Sequence, residues 1–274
     1  MFEDDGYKLI PGVLDLPLVE RLRAALGSAG DGNATGRSQR GESVYARRNI
    51  LSLPEVQAVA TDPRVLALTG CATIATRALF FDKVPGANWH VGWHQDRAIA
   101  VAERHELPGW APWTVKAGVV HVLPPAAILE KMITVRLHLD DCDENNGPLR
   151  VLPGSHRHGI LSAEQFAVLR EQVPEVACLL PSGGALVMSP LLLHASSPAQ
   201  SPLHRRVLHI EFAPENLLPE GLAWATSLPP APSLRLKPPF RGAKGGGVRE
   251  MRAEIDSPPL LPRNVDKEGE GVAQ

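Results

Sequence analysis

The sequence predicts a mainly β fold with flanking helices, of the sandwich, jelly-roll or barrel type. Short runs rich in β-branched and aromatic residues begin after residue 70, and clusters of Gly, Pro, Asn and Asp separate them. Helical patterns are concentrated in the first 70 residues. The 274 residues suit one large all-β domain. We therefore predict a single domain over residues 1–228, with a helical part over 1–70 and a β core over about 73–214.

Two helical regions are predicted in the N-terminal part. Leu16–Leu26 carries apolar residues at helical spacing, and Gly27 is a suitable stop signal. Leu53–Leu68 predicts one or two short helices, and Asp62-Pro63 is a suitable start for the second. The intervening Gly27–Ser43 is rich in Gly, Ser, Asn and Arg, so we expect a surface loop there.

Five strands are predicted in the β core. They are Thr73–Lys83, Ile133–Leu139, Leu149–Leu152, Ala185–Leu193 and Arg206–Phe212. Arg97–Leu129 does not follow this rhythm, because it combines Pro, Gly, Trp and His without alternation, and we expect an irregular lid there. Residues 229–274 are rich in Pro, Gly and charge, which predicts a C-terminal extension with a poorly ordered end.

The composition favours a small-molecule partner. The formal net charge is -2 and the isoelectric point is about 6.6, so binding to nucleic acid or to a membrane is not expected. Three cysteines without a CxxC pair argue against a disulfide framework. Neither a secretory signal nor an apolar run of about 20 residues is evident. We therefore predict a soluble, cytoplasmic protein, whose oligomeric state the sequence does not indicate.

Two distant segments together predict a metal site. On a strand, His94 and Asp96 would point to the same face, ~6.6 Å apart, although such a pair alone is a weak signal. His194 ends an apolar run, and a hairpin after it would place Arg205 on the neighbouring strand. Two histidines and one carboxylate form the facial triad of non-haem Fe(II) oxygenases. Arg205 supplies a fork for the far carboxylate of 2-oxoglutarate, and Ser196 shares the strand parity of His194.

Three segments of the chain resemble the phytanoyl-CoA dioxygenase family of Fe(II)/2-oxoglutarate oxygenases. They are WHQD (Trp93–Asp96), LDDCDENNGPLRVLPGSH (Leu139–His156) and LLLHASSPAQSPLHRR (Leu191–Arg206), and they occur in the family's order. The resemblance extends from about Lys83 to about Phe212. It implies a double-stranded β-helix, the cupin-like jelly roll, with helices packed outside.

The resemblance also implies the roles of the site residues. His94, Asp96 and His194 would hold Fe(II), and Arg205 with Ser196 would bind 2-oxoglutarate. The implied reaction consumes O2, converts 2-oxoglutarate to succinate and CO2, and allows stimulation by ascorbate. Related halogenases have a small residue in place of the carboxylate, so Asp96 favours hydroxylation. Desaturation or cyclisation would use the same ligands.

Substrate-binding residues are predicted near the metal strand and on the lid. The candidates are Lys83, Asn88, Arg97, Trp113, His121 and Arg136, because charged and aromatic groups suit a polar or anionic substrate. Packing of the Trp residues and an ion pair at Arg136 are the alternatives. No cluster of Lys and Arg for CoA phosphates is evident, which favours a free metabolite.

Two other histidines in apolar strands, His138 and His209, are expected to be core or supporting groups. His90 has strand parity with His94 but lacks the Glu of a helical zinc motif. Asp140, Asp141 and His156 are expected to be structural.

Two other functions fit the same residues. A zinc-dependent jelly-roll hydrolase or isomerase could use the same three ligands, but it would not need the carboxylate clamp at Arg205. A non-catalytic binding module on the same fold is the second alternative, and the complete ligand set argues against it.

Overall fold

The computed structural model describes residues 2–27, 37–40, 43–200 and 204–230. The predicted extension over 229–274 therefore lies almost entirely outside the described residues. The three cysteines are all free. In the described part of the chain, no helix combines the length and apolar character needed to cross a bilayer.

Short helices flank the β core, and most of them precede it in the chain. The helices are α1 (Phe2–Asp5), α2 (Leu16–Gly27), α3 (Pro54–Ala60), α4 (Pro63–Leu66), α5 (Ala126–Leu129) and α6 (Ala163–Gln172), with a 3-10 turn at Ser155–His158. The predictions for α2 and for the pair α3 and α4 are confirmed. The side chain of Asp62 caps α4 by accepting a hydrogen bond from the backbone N–H of Arg64 at 2.8 Å.

Fourteen strands form three antiparallel sheets in the described part of the chain. The strands are β1 (Tyr7–Ile10), β2 (Arg37–Arg40), β3 (Ser43–Arg47), β4 (Ile74–Asp82), β5 (Val91–His94), β6 (Ile99–Val101), β7 (Trp113–Lys116), β8 (Val119–Val122), β9 (Ile133–His138), β10 (Leu149–Val151), β11 (Val176–Cys178), β12 (Ala185–Met188), β13 (His194–Ser196) and β14 (Arg206–Ala213). The expectation of a surface loop over Gly27–Ser43 is wrong at β2, which pairs with β3.

Eight of these strands form the jelly roll. The large sheet has the order β1-β12-β9-β14-β4-β3-β2, and the small sheet has the order β11-β10-β13-β5. The chain alternates between the sheets from β4 to β5, β9 and β10, and again from β11 to β12, β13 and β14. This alternation is the double-stranded β-helix arrangement and confirms the predicted fold class.

The large sheet separates an apolar layer from a polar interior. On β14, Leu208, Ile210 and Phe212 pack in the main hydrophobic cluster together with residues of α2, α3 and α4. His209 and Glu211 alternate with them and line a cavity on the other face. The helices therefore cover one face of the sheet, and the polar residues of the opposite face line the cavity.

The predicted strand Ala185–Leu193 is wrong in its second half. Strand β12 ends at Met188, and a turn over Ser189–Leu193 carries the chain to β13 in the other sheet. Pro190 lies in this turn, where it has no N–H to donate to a ladder. His194 therefore begins a new strand instead of ending an old one.

The expected irregular lid over Arg97–Leu129 is also wrong. This segment forms a three-stranded sheet of order β6-β8-β7, followed by α5. Trp110 is buried in a second apolar cluster between this sheet and the rest of the chain, and Trp113 packs against the same cluster. The sequence pattern did not predict this sheet because its strands are only three or four residues long.

Candidate metal centre

His94, Asp96 and His194 converge at one end of the small sheet. His94 on β5 lies directly opposite His194 on β13 in the antiparallel ladder. The Nε2 atom of His94 is 3.6 Å from Oδ1 of Asp96, and that of His194 is 3.6 Å from Oδ2. One ligand atom from each residue lies within 4.8 Å of the other two, which is a suitable arrangement for a metal ion.

The hydrogen bonds of both imidazoles fix the tautomers that a metal site needs. Nδ1 of His94 contacts the carbonyl of Gly92 at 2.8 Å, and Nδ1 of His194 contacts the carbonyl of Leu192 at 2.8 Å. A carbonyl only accepts, so each Nδ1 carries the proton and each Nε2 presents a lone pair. Oδ2 of Asp96 is buried without a hydrogen-bond partner among the described residues. A cation between these atoms would satisfy all three groups.

The charges of Asp96 and His194 also suit a cation. Burial alone would raise the pKa of Asp96, but the imidazoles of His194 and His94 keep it below the usual range of a carboxyl. Burial lowers the pKa of His194 to about 4. An ionised carboxylate beside a neutral imidazole is the protonation state that binds a divalent metal.

Asp96 is positioned by a turn, since β5 ends at His94. Its backbone N–H donates to the carbonyl of Pro190 at 2.9 Å. Between the two ligands, the buried Gln95 side chain donates to the carbonyls of Gly159 and Leu191 at 2.8 and 2.7 Å. Its Oε1 accepts from the N–H of Leu161 at 3.0 Å. The segment that carries His94 and Asp96 is thus tied to the turn preceding His194.

A buried cationic cluster, here called the cationic hollow, consists of Lys83, Ser196, Arg205 and the carbonyl of Gly147. Lys83 is fully buried, and its Nζ donates to Oγ of Ser196 at 3.0 Å and to the carbonyl of Ser197. Arg205 is also buried, and its Nη1 donates to the carbonyl of Gly147 at 2.9 Å. Nε of Arg205 is buried without a partner among the described residues.

Arg205 reaches this hollow by a different route from the predicted hairpin. It directly precedes β14, which lies in the large sheet, whereas β13 lies in the small sheet. Its backbone pairs instead with Lys83, through hydrogen bonds of 3.1 and 3.3 Å. Arg205 therefore enters the hollow from the large sheet and Ser196 from the small sheet, so both side chains could donate hydrogen bonds to one ligand.

Burial without a counterion perturbs both cations of the hollow. Burial, and then the charge of Arg205, lower the pKa of Lys83 to about 7. Burial, and then the charge of Arg136, lower the pKa of Arg205 to about 10. Within the described part of the chain, no carboxylate forms an ion pair with either residue. An anionic ligand would compensate the charges of these two buried cations.

A cavity of about 350 Å³ opens beside the metal ligands. His94 and Asp96 form part of its wall, and so do two predicted substrate residues, Arg97 and His121. Nδ1 of His121 contacts the carbonyl of Val119 at 3.0 Å, which leaves its Nε2 as a buried acceptor. Other residues of the wall are Arg48, Arg77, Leu79, Phe81, Gln95, Ala98, Lys116, His209 and Glu211.

The other predicted substrate residues lie elsewhere. Asn88 exchanges two hydrogen bonds of 2.7 Å with the backbone of Ala199, and so holds the loop after β13. Trp113 packs in the apolar cluster of the three-stranded sheet. Lys83 lies in the cationic hollow, and Arg136 is buried inside the jelly roll beside His209.

The cavity wall also contains a buried ion pair that the sequence patterns above did not predict. Arg77 on β4 and Glu211 on β14 are register partners, with Nη1 and Oε1 3.1 Å apart. Each is the single charged residue within an apolar stretch of its strand, and this pattern was available as a signal. The pair adds charge of both signs to the wall close to Asp96.

The residues expected to be structural are engaged in the framework. Asp140 accepts two side-chain hydrogen bonds from Arg206, at 2.9 and 2.7 Å, on the outer side of β14. Asp141 accepts from the N–H of Ser182 at 2.8 Å. His156 contacts the carbonyl of Glu3 at 3.3 Å, and none of these three lies in the cavity wall.

Comparison with solved structures shows similarity to several proteins. AviO1 from Streptomyces viridochromogenes Tue57 is 21% identical with a TM-score of 0.57, covering 80% of this chain and 94% of AviO1. EctD from S. alaskensis, solved with 2-oxoglutarate and 5-hydroxyectoine, is 20% identical with a TM-score of 0.59, covering 77% and 73%. The non-heme alpha ketoglutarate dependent epimerase SnoN from nogalamycin biosynthesis is 17% identical with a TM-score of 0.56, covering 77% and 80%. At these identities the similarity shows the fold alone.

The family of the chain is identified by a match to a protein-family model. No curated protein matches the chain. The family described as phytanoyl-CoA dioxygenase (PhyH) matches residues 2–207, which is more than half of the chain and includes His94, Asp96, His194 and Arg205. The chain therefore belongs to the phytanoyl-CoA dioxygenase family of Fe/2-oxoglutarate-dependent oxygenases.

Proposed function

We propose that this protein is a non-haem Fe(II)- and 2-oxoglutarate-dependent hydroxylase of a small organic molecule, which binds in the cavity beside His94 and Asp96. The observation that carries the proposal is that a possible metal site and a buried cationic site without a counterion occur in the same jelly roll. His94, Asp96 and His194 could hold a metal ion through free acceptor atoms, and the buried cations Lys83 and Arg205 of the cationic hollow have no carboxylate partner among the described residues.

The residues of the hollow suit 2-oxoglutarate in particular. Arg205 offers a fork for a carboxylate, and Lys83 with Ser196 adds a cation and a hydroxyl. Bound Fe(II) would supply the redox chemistry that couples O2 to decarboxylation of 2-oxoglutarate and oxidation of the substrate. The protein contributes a fixed ligand geometry, a neutral imidazole at His194 and a shielded interior.

Hydroxylation is the favoured outcome among the reactions of this class. Asp96 would supply the carboxylate ligand, which favours a hydroxylase over a halogenase. EctD was solved with a hydroxylated compound, 5-hydroxyectoine, whereas SnoN is described as an epimerase. The same fold thus serves more than one outcome, so the product decides between them.

The test begins with anaerobic addition of Fe(II) and 2-oxoglutarate to the metal-free protein. We expect a weak visible absorption band from the metal chelate and, after O2 is admitted, stoichiometric formation of succinate over many turnovers. A hydroxylated product gains one oxygen atom from labelled O2, which mass spectrometry detects. Tight zinc binding without this band would favour the hydrolase alternative, and absence of succinate would favour a binding module.

A further inference from the structure

The interior face of β9 carries polar residues that the proposed function does not yet use. Thr134, Arg136 and His138 alternate with Val135 and Leu137, which pack against the helices. All three polar residues are buried. They therefore line the inside of the jelly roll.

Arg136 is a buried cation whose hydrogen bonds are incomplete. Its Nη1 donates to Nδ1 of His209 at 2.9 Å, and its guanidinium lies 5.8 Å from the centre of the Phe81 ring. Its Nε is buried without a partner, and none of the described carboxylates forms an ion pair with it. A buried guanidinium without an anion is costly, so a negatively charged ligand would be favourable beside Arg136.

The strand register places Arg136 and Arg205 at different positions along the paired strands β9 and β14. Arg136 pairs with His209 on β14, and His138 pairs with Val207. His209 is four residues beyond Arg205, which corresponds to ~13 Å along a strand. The two long side chains thus start from backbone positions ~13 Å apart, a spacing compatible with one guanidinium at each end of a five-carbon dicarboxylate. Both ring nitrogens of His138, between the two positions, are buried without partners among the described residues.

The electrostatic influence of Arg136 extends to Arg205 and to His194. After burial, the charge of Arg136 is the next cause that lowers the pKa of Arg205. The same charge also contributes to the lowered pKa of His194, and the charge of Asp96 opposes the effect of burial on Arg136 itself. Arg136 thus lies within electrostatic range of the metal ligands and of the hollow.

We propose that Arg136 binds the carboxylate of 2-oxoglutarate that lies next to the metal, while Arg205 binds the distal carboxylate. The inference rests on the proposed function, because it assigns a second guanidinium to the same cosubstrate. It also moves Arg136 from the substrate residues, where sequence analysis placed it, to the cosubstrate. Arg136 acts there as a binding residue rather than a catalytic one.

The test compares 2-oxoglutarate with 2-oxopentanoate, which keeps the keto acid end but lacks the distal carboxylate. Dissociation constants are measured by calorimetry on Ni(II)-loaded protein, so that no turnover is needed. We expect Arg136→Met to weaken the binding of both ligands by the same factor, about 10- to 100-fold. We expect Arg205→Met to weaken the binding of 2-oxoglutarate but not that of 2-oxopentanoate.

Controls separate a specific effect from damage to the fold. Arg104→Met removes an exposed arginine that pairs with Glu106, at 2.6 Å, outside the cavity wall, and should change neither constant. Arg136→Lys keeps the charge without the fork and should fall between the wild type and Arg136→Met.

Three outcomes have separate meanings. If Arg136→Met binds both ligands as the wild type does, the inference is wrong. Weakening of 2-oxoglutarate binding alone would place Arg136 at the distal end and also overturn it. If the wild type binds neither ligand, the proposed function itself fails.

Discussion

His94 and His194 lie directly opposite each other on adjacent antiparallel strands, with their ring centroids 4.2 Å apart, although they are distant in sequence. The pairing of β5 with β13 brings the two imidazoles together. Because each Nδ1 is bonded to a backbone carbonyl, each ring has a single free acceptor. The ladder of the small sheet thus fixes the positions of two candidate metal ligands.

The first prediction concerns metal binding. His194→Ala should lower the affinity for Fe(II) or Ni(II) by at least about 100-fold, since it removes one of three ligands and leaves Asp96 without its second imidazole. Calorimetric titration of the metal-free protein measures the change. His90→Ala is the matched control, because His90 is exposed and close to the same strand. Equal metal affinity in the wild type and His194→Ala would contradict the assigned site.

The second prediction concerns Gln95, which touches no metal ligand with its side chain. Gln95→Ala removes three hydrogen bonds and leaves the N–H of Leu161 and two carbonyls unpaired. The free energy of unfolding should fall by about 2–4 kcal/mol, and metal affinity should fall by about tenfold. Urea unfolding and metal titration measure the two effects. Gln57→Ala on an exposed face of α3 should change neither, and a silent Gln95→Ala would show that this network is dispensable.

The third prediction concerns Gly147, whose carbonyl accepts the hydrogen bond of Arg205. Its φ is +70°, and a Cβ there would lie 2.5 Å from the carbonyl oxygen of Ser197 and 3.1 Å from Nζ of Lys83. Gly147→Ala should therefore displace the hollow and weaken the binding of 2-oxoglutarate at least tenfold. Gly70→Ala is the control, because Gly70 also has a positive φ, +61°, but open space around it. If both variants bind 2-oxoglutarate equally well, close packing at residue 147 is irrelevant to the hollow.

The fourth prediction concerns pH. Since burial lowers the pKa of Lys83 to about 7, the residue is charged below that pH and loses its charge as the pH rises. The charged form binds the dianion better, so the dissociation constant of 2-oxoglutarate should be flat at lower pH and rise up to about tenfold per pH unit above 7. Calorimetry on Ni(II)-loaded protein between pH 6 and about 8.5 measures it. Lys83→Met should bind more weakly and remove this rise, whereas a rise that persists would assign the titration to another group.

Local patterns in the sequence were sufficient for much of the fold. Helix α2 and the break between α3 and α4 follow from apolar spacing and from the Asp62-Pro63 start signal, which act over a few residues. The alternation in β9 and β14 likewise indicates which residues share a face. It does not indicate which face becomes the interior, and the cavity residues Arg77 and Glu211 were missed for that reason.

The sequence by itself determined the chemical groups of the site: two imidazoles, a carboxylate and a guanidinium, in the order of a known family. Only the tertiary structure decided how they meet. The turn around Pro190 moves His194 into the small sheet, and Arg205 enters from the large sheet instead of a hairpin. The physical reason is that sheet assignment depends on long-range pairing and burial, whereas residue spacing constrains only neighbours along one strand.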